Sequence, residues 1–424
     1  MCSSHHAHHW MLCPQCDLMT QMPELRPGSK ASCPRCHTTL QMNWVEPRRR
    51  PTAYALAALF MLLLANLFPF VNMHVAGLSS EITLMRIPSV MVAEDYSSLA
   101  TLFLLFVQGV PALCMVAILL LVNPLRVPPA LKKTLARTLF QLKSWGMAEI
   151  FLAGVLVSFV KLMAYGDIGI GLSFVPWCLF CLLQLRAFQC IDRRTLWQQV
   201  APLPPLPTKP VPAISGLRQG LRSCTCCTAV LASDTAICPR CGTHGHARRR
   251  HSLQWTMALL ITSLVLYIPA NLLPIMVTEA LGTQMNSTIM AGVILLWSDG
   301  SYPVALVIFI ASIMVPSLKM LAIAWLCWDA NGHSMKPRDS DRMHRIYELV
   351  ELVGRWSMID VFVIAVLSAL VRMGRLMSIY PAIGALLFAL VVILTMFAAI
   401  TFDPRLIWDR TREKSLEESS RDGQ

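Results

Sequence analysis

The chain has 424 residues, of which 55% are hydrophobic and only 14% are Asp, Glu, Lys or Arg, against roughly a quarter charged in ordinary soluble domains. That imbalance excludes a single soluble fold, because the apolar residues exceed what one modest core can cover. The formal net charge of +12 does not point to nucleic acid either, since Lys and Arg gather in short segments between long apolar runs, where a membrane protein places them.

Residues 1-47 are polar, carry cysteines and lack the apolar centre of a signal peptide, so the first apolar run is expected to stay as an anchor. Cys13-Pro14-Gln15-Cys16 is followed, sixteen residues later, by Cys33-Pro34-Arg35-Cys36. Two such knuckles bring four thiolates to the corners of a tetrahedron, the arrangement of structural zinc. Soft thiolates favour Zn over hard cations, with a four-sulfur iron centre or a redox dithiol as the other reading. Cys2 with His5, His6, His8 and His9 reads as a flexible tail.

The first membrane module, 48-197, opens with Arg48, Arg49 and Arg50, and its apolar runs begin near Ala53, Leu99, Gly146 and Gly171. Each run has about the ~20 residues a helix needs to cross a bilayer. A linker over 198-216 contains a Pro-rich stretch from Ala201 to Pro212, which reads as a stiff spacer. A second ribbon, 217-247, holds Cys224-Thr225-Cys226-Cys227 and, ten residues later, Cys238-Pro239-Arg240-Cys241. Its expected ligands are Cys224, Cys227, Cys238 and Cys241, leaving Cys226 as a spare thiol able to enter the shell. The second module, 248-410, has runs beginning near Leu253, Tyr302, Ser357 and Pro381, and 411-424 is a charged tail.

The two modules are copies. Asn66-Leu67-Phe68-Pro69 matches Asn271-Leu272-Leu273-Pro274, Gly77 matches Gly282, Thr83 matches Thr288, and Val110-Pro111 matches Val315-Pro316. Further on, Trp145-Gly146-Met147-Ala148-Glu149 matches Trp356-Ser357-Met358-Ile359-Asp360, Lys161 matches Arg372, and the stretch from Asp192 to Trp197 matches that from Asp403 to Trp408. Four crossings in each copy give both the same orientation, a parallel and not an inverted repeat. The expected fold is an all-α polytopic membrane protein: two four-helix transmembrane bundles in tandem, each preceded by a small four-cysteine zinc ribbon.

Basic residues fill the segments before the first run, between the second and third, between the fourth and fifth, and between the sixth and seventh, whereas 72-97 holds Arg86 alone and 278-301 holds no Lys or Arg. This places both termini and the central linker in the cytoplasm, where thiols stay reduced and a disulfide reading fails. Pro69, Pro111, Pro176, Pro269, Pro274, Pro303, Pro316 and Pro381 fall in or at the ends of the runs. They are either ordinary transmembrane prolines or paired kinks that open a cavity.

Charges within hydrocarbon are costly unless they snorkel, pair or meet water, which singles out Glu149, Lys161, Lys319, Asp360 and Arg372. Lys161 and Arg372 lie near an interface that they could reach by snorkelling; Lys319 lies deeper and could pair with Asp360. The chain shows no nucleotide loop, no H-E-x-x-H and no nucleophile with an ordered histidine, so it reads as a non-enzyme.

The paired C-x2-C ribbons, the two Asn-Leu-x-Pro signatures, the Trp145 to Glu149 and Trp356 to Asp360 segments and Leu253-Gln254-Trp255 together resemble the paraquat-inducible protein A family over essentially residues 9-410. The spare Cys226 is the one departure. The resemblance implies an inner-membrane subunit of an intermembrane lipid transport system in a Gram-negative envelope. Its expected partners are a periplasmic MCE-domain protein and an outer-membrane lipoprotein, which form a hydrophobic tunnel that it loads with phospholipid or empties. It also implies helical units open to lipid on one side, with Lys161, Lys319 and Asp360 lining the space. The rival readings are a gradient-coupled secondary transporter of a small amphiphile or ion and a purely structural anchor for the tunnel.

Overall fold

The computed structural model describes residues 10–75, 78–93, 97–124, 126–162, 167–280, 283–298, 300, 302–331, 340–356, 359, 362–363, 365–366 and 377–409. Ribbon one comprises β1 (Trp10–Leu12), β2 (Met19–Gln21), β3 (Lys30–Ser32) and β4 (Thr39–Met42). The first half follows as α1 (Arg49–Leu67), β5 (Val71–Val75), β6 (Leu78–Ile82), α2 (Arg86–Ala93), α3 (Ser97–Val122), α4 (Pro129–Leu142), α5 (Ala148–Leu162), β7 (Asp167–Ile170), α6 (Phe174–Gln189) and α7 (Arg193–Val200). Ribbon two contributes β8 (Leu221–Ser223) and β9 (Val230–Ala232). The second half repeats the pattern with α8 (Ser252–Leu272), β10 (Met276–Ala280), β11 (Thr283–Ser287), α9 (Ile289–Ser298), α10 (Tyr302–Phe309), α11 (Ile310–Ala330), α12 (Ser340–Trp356), β12 (Met377–Pro381) and α13 (Ile383–Thr401).

The apolar runs predict eight crossings. Among the described residues six helices are long and apolar enough to span: α1, α3, the Pro129–Phe159 stretch, α8, α11 and α13. The fourth run is shorter, because α6 stops at Gln189 and the chain bends by 71° into α7. Asp192 sets that bend by capping α7, its carboxylate accepting from the Thr195 N–H at 2.9 Å. The seventh run, from Ser357, lies largely outside the described residues.

In each half the first and last membrane helices lie side by side. On α1 the buried positions are Pro51, Ala55, Ala58, Leu62 and Ala65; on α8 they are Ser252, Thr256, Leu260, Ser263 and Ala270. Spacing by three and four puts these mostly small residues on one face, where backbones approach closely. The join is tightest just past the ends of α1 and α8. A Cβ on Gly171 would lie 2.2 Å from the Pro69 carbonyl oxygen, and one on Gly384 would lie 2.5 Å from that of Pro274. Ser173 completes the first join: its hydroxyl donates to Phe68 O at 2.8 Å and accepts from the Phe68 N–H at 3.2 Å.

The proline kinks also have partners. A π-helical turn, Leu104–Gly109, precedes Val110-Pro111, and a second, Ile310–Met314, precedes Val315-Pro316. Near the first, the Met147 N–H donates to Phe106 O at 3.1 Å, and the Trp145 ring stacks on Phe106 at 5.3 Å. In the first half the Val-Pro and Trp-Gly-Met-Ala-Glu motifs are therefore two sides of one contact.

Two small sheets have no counterpart in the sequence reading. They have the orders β6-β5-β7 and β11-β10-β12, entirely antiparallel, and stand at the end of the molecule opposite the ribbons. In both, the central strand leaves α1 or α8 directly and the third strand leads into α6 or α13, so each sheet ties the first membrane helix of its half to the last. The halves meet where α5 crosses the second half. Gly154 there leaves room for Phe362, whose Cβ would be 3.3 Å from an added methyl, and the Phe362 ring meets Phe103 at 6.4 Å and Phe151 at 6.0 Å.

The Pro-rich segment is tied down at both ends. Ala201 O accepts from Arg240 Nε at 3.0 Å and Nη2 at 2.9 Å, Met19 N donates to Ile214 O at 2.9 Å, and Leu18 bridges to Ser215. The two ribbons share a core of Leu12, Met19, Leu221 and Val230.

The glycines behind the proline signatures make the first test. Gly171→Ala and Gly384→Ala each force a methyl against a carbonyl oxygen, so each is expected to destabilise by about 1–3 kcal/mol, read as a fall in Tm of the detergent-solubilised protein. Gly292→Ala, where an added Cβ meets nothing within 4 Å, is expected to leave Tm unchanged or slightly raised.

Candidate metal centres and the membrane polar site

All four knuckles have one backbone design. In each, the first cysteine's carbonyl accepts from the residue four positions on: Asp17 to Cys13 at 3.0 Å, His37 to Cys33 at 3.0 Å, Thr228 to Cys224 at 3.0 Å and Gly242 to Cys238 at 2.8 Å. These four donors have φ of +58°, +58°, +57° and +72°, a left-handed turn that points both thiols of a knuckle inward. Glycine adopts it without strain, while Asp, His and Thr do so at some cost.

The sulfurs gather in two buried groups, Cys13, Cys16, Cys33, Cys36 and Cys224, Cys227, Cys238, Cys241, each with all ligand atoms within 4.8 Å of one another. Across the knuckles, Cys13–Cys36 is 3.4 Å, Cys16–Cys33 3.5 Å, Cys224–Cys241 3.5 Å and Cys227–Cys238 3.5 Å. A disulfide would need about 2.05 Å, whereas four sulfurs around zinc at ~2.3 Å form a tetrahedron with edges of roughly 3.8 Å. The donor set therefore suits two structural Zn ions with no open position. Thiol hydrogen bonds from Cys13 and Cys16 pull Cys33 down to about 6, and those from Cys227 and Cys238 do the same for Cys224, so a thiolate is available near neutral pH. Cys226 lies buried outside the second group. Its contact with the Cys241 sulfur, followed by its burial, pushes its thiol up and keeps it protonated.

The polar residues singled out within the apolar runs are scattered. Glu149 is exposed in the first turn of α5. Lys161 is in the last turn of α5 but its side chain is outside the described residues, as are Asp360 and Arg372. Lys319 is on α11, only 3% exposed, and its Nζ donates to Thr395 Oγ1 on α13 at 3.1 Å. Thr395 in turn donates to Val392 O at 2.9 Å. Gly354 on α12 leaves the space for the lysine tip, since a Cβ there would lie 3.1 Å from Lys319 Nζ. Thr395 escaped the sequence reading; its only signal is a lone hydroxyl in the run from Ile383 to Ile400.

The site belongs to one half only. The offset that pairs Val110-Pro111 with Val315-Pro316 sets Cys114 opposite Lys319. The halves also differ in their outer hairpins. In the first, Ile87, Met91, Leu99, Ala100 and Phe103 join the main core. In the second, Ile289 joins the main core, whereas Val293, Ala305 and Ile308 form a separate cluster, beside a cavity of about 290 Å³ lined by Met290, Val293, Ile294, Trp297, Ala305, Leu306 and Phe309.

A sequence model described as "Paraquat-inducible protein A" matches residues 49–201 and 253–412. The chain belongs to the paraquat-inducible protein A family. It is 71% identical to the Escherichia coli protein called "Intermembrane transport protein PqiA", over 99% of this chain and 100% of that relative. It is 29% identical to the Escherichia coli "Lipophilic envelope-spanning tunnel protein A", over 94% and 90%, and 28% identical to a "Probable intermembrane transport protein" of Haemophilus influenzae, over 93% and 95%. No solved structure matches. The family match covers the membrane part of each half and leaves both ribbons outside it.

Metal content tests the two centres. The purified full chain is expected to carry two Zn per molecule by elemental analysis; Cys33→Ser and Cys238→Ser each lose one, and Cys226→Ser keeps both. Retention of both metals by Cys33→Ser would show that four ligands are not required.

Proposed function

We propose that the chain is the inner-membrane subunit of an intermembrane lipid transport system. In this reading it passes phospholipid to, or takes it from, a tunnel built by a periplasmic MCE-domain protein that reaches an outer-membrane lipoprotein. The observation that carries it is the wholly apolar cavity between α9 and α10, set in the half that also buries Lys319. A pocket of this size, lined among the described residues by apolar side chains, suits a length of acyl chain. Transfer between two apolar environments needs no bond to be made, so the reading contains no catalytic step.

In the same reading each half crosses four times, with the seventh crossing supplied by the region after Trp356. The domain limits are those of two ribbons, two membrane modules, a linker and a tail. The ribbon end faces the cytoplasm and the sheet end the periplasm, which is supported by the distribution of Arg and Lys and by the need of eight thiolates for a reducing compartment. Lys161, Lys319, Asp360, Glu149 and Arg372 are the proposed lipid-path residues, with Lys319 supported by its burial in the membrane.

Photo-crosslinking tests the cavity. A photoreactive residue at Val293, which is 8% exposed, is expected to capture phospholipid in membranes as well as one at Leu56, which is 62% exposed. Capture at Leu56 alone would leave the protein an anchor with no lipid path. Solute counterflow in liposomes without any partner would favour the gradient-coupled transporter.

Orientation has its own test. A cysteine at Gln284 is expected to react with an impermeant maleimide in cells whose outer membrane is permeabilised, and one at Pro207 only in inverted vesicles. The opposite pattern would overturn the topology and the zinc argument with it.

A further inference from the structure

The internal repeat extends to the way the ribbons dock. Both halves close on matching segments, Asp192 to Trp197 and Asp403 to Trp408, and both ribbons contain a Cys-Pro-Arg-Cys knuckle, Cys33 to Cys36 and Cys238 to Cys241. The Arg240 guanidinium lies over the Trp197 ring, 6.0 Å from its centroid. That of Arg35 lies over the Trp408 ring at 5.6 Å. Ribbon two thus sits on the end of the first half, and ribbon one reaches past the half that it introduces to the end of the second.

Other contacts follow the same crossed pattern. Ribbon two is held by Arg137 of α4, which donates to Cys241 O, and by Arg193, whose Nη1 donates to Thr225 O at 3.0 Å. In ribbon one Thr38 Oγ1 is 3.4 Å from His344 Nε2 on α12, and the His344 ring meets Trp408 at 6.2 Å. Arg248 joins Asp17 of ribbon one at 2.9 Å to Asp409 at 2.6 Å. Ribbon one also touches the end of the first half, where Arg194 donates to Trp10 O at 3.4 Å. Among the described residues neither Trp197 nor Trp408 has an acceptor for its indole N–H, and each meets its arginine through the ring face.

We propose that the second knuckle of each ribbon is a clamp on the half that the ribbon does not introduce, with Arg35 and Arg240 as positioning residues. The four thiolates and their metal hold the knuckle backbone, and the arginine carries that rigidity to the closing segment of the other half. The ribbon pair thereby couples the ends of the two halves, so that neither moves at this face without the other. The inference does not depend on what the membrane part transports.

Hydrogen–deuterium exchange of the full chain in nanodiscs tests it, with zinc measured alongside. Arg35→Ala and Trp408→Leu are expected to raise exchange across 401–409 about fivefold and leave 192–200 at its original rate. Arg240→Ala and Trp197→Leu are expected to do the reverse. Trp408→Phe and Trp197→Phe keep an aromatic face and should stay near the original rates, which a purely packing role would not produce. Arg240 also holds the Cys227 carbonyl at 3.1 Å, so if Arg240→Ala loses metal, Trp197→Leu, changed outside the ribbon, decides the matter. Equal loosening by Phe and Leu, loosening of the wrong segment, or both segments rising together would overturn the clamp.

Discussion

Hydrocarbon offers a peptide group no hydrogen-bonding partner, and in this chain breaks in the membrane helices are placed where another part of the same half supplies one. The Phe106 carbonyl, near the Pro111 kink, is met by the Met147 N–H. The end of α1 is met by the Ser173 hydroxyl, and Gly171 and Gly384 let the backbone come close enough for such contacts to form. The same requirement in both copies accounts for the repeated Asn, Pro, Gly and Trp at the breaks, whereas between the breaks any apolar side chain of suitable size is soluble in lipid.

Once the framework is held in this way, the two halves are free to differ where they do not carry it. The first half packs its outer hairpin into the main core. The second leaves most of its hairpin's buried residues in a separate cluster beside a cavity and buries a lysine where the first has a cysteine. A buried ammonium is expensive to retain, and Thr395 offers it a hydroxyl but no charge. Duplication with one copy kept as scaffold and the other adapted is a consistent physical account of that asymmetry.

The ribbons are too small to fold by burying apolar surface alone, and metal binding contributes the difference. Their shared core and crossed docking turn four cysteine knuckles into one body spanning both halves at a single end of the molecule. The sheets do the corresponding work at the other end, one per half.

Periodic and compositional signals were legible in the sequence: apolar runs of membrane length, the parallel duplication, and two four-cysteine sets whose C-x2-C spacing already dictates the knuckle. These are local properties, set by neighbours along the chain. The tertiary structure alone decided what depends on residues far apart. The short strands beyond α1 and α8 pair with the segments just before α6 and α13, about a hundred residues away in sequence, and five-residue strands carry too little alternation to announce themselves. The shortened α6, the Thr395 partner of Lys319, the exclusion of Cys226 from its cluster and the stacking of Arg35 on Trp408 likewise follow from packing in three dimensions. Spacing along a chain shows which groups a local turn can unite; only the folded arrangement shows which distant ones meet.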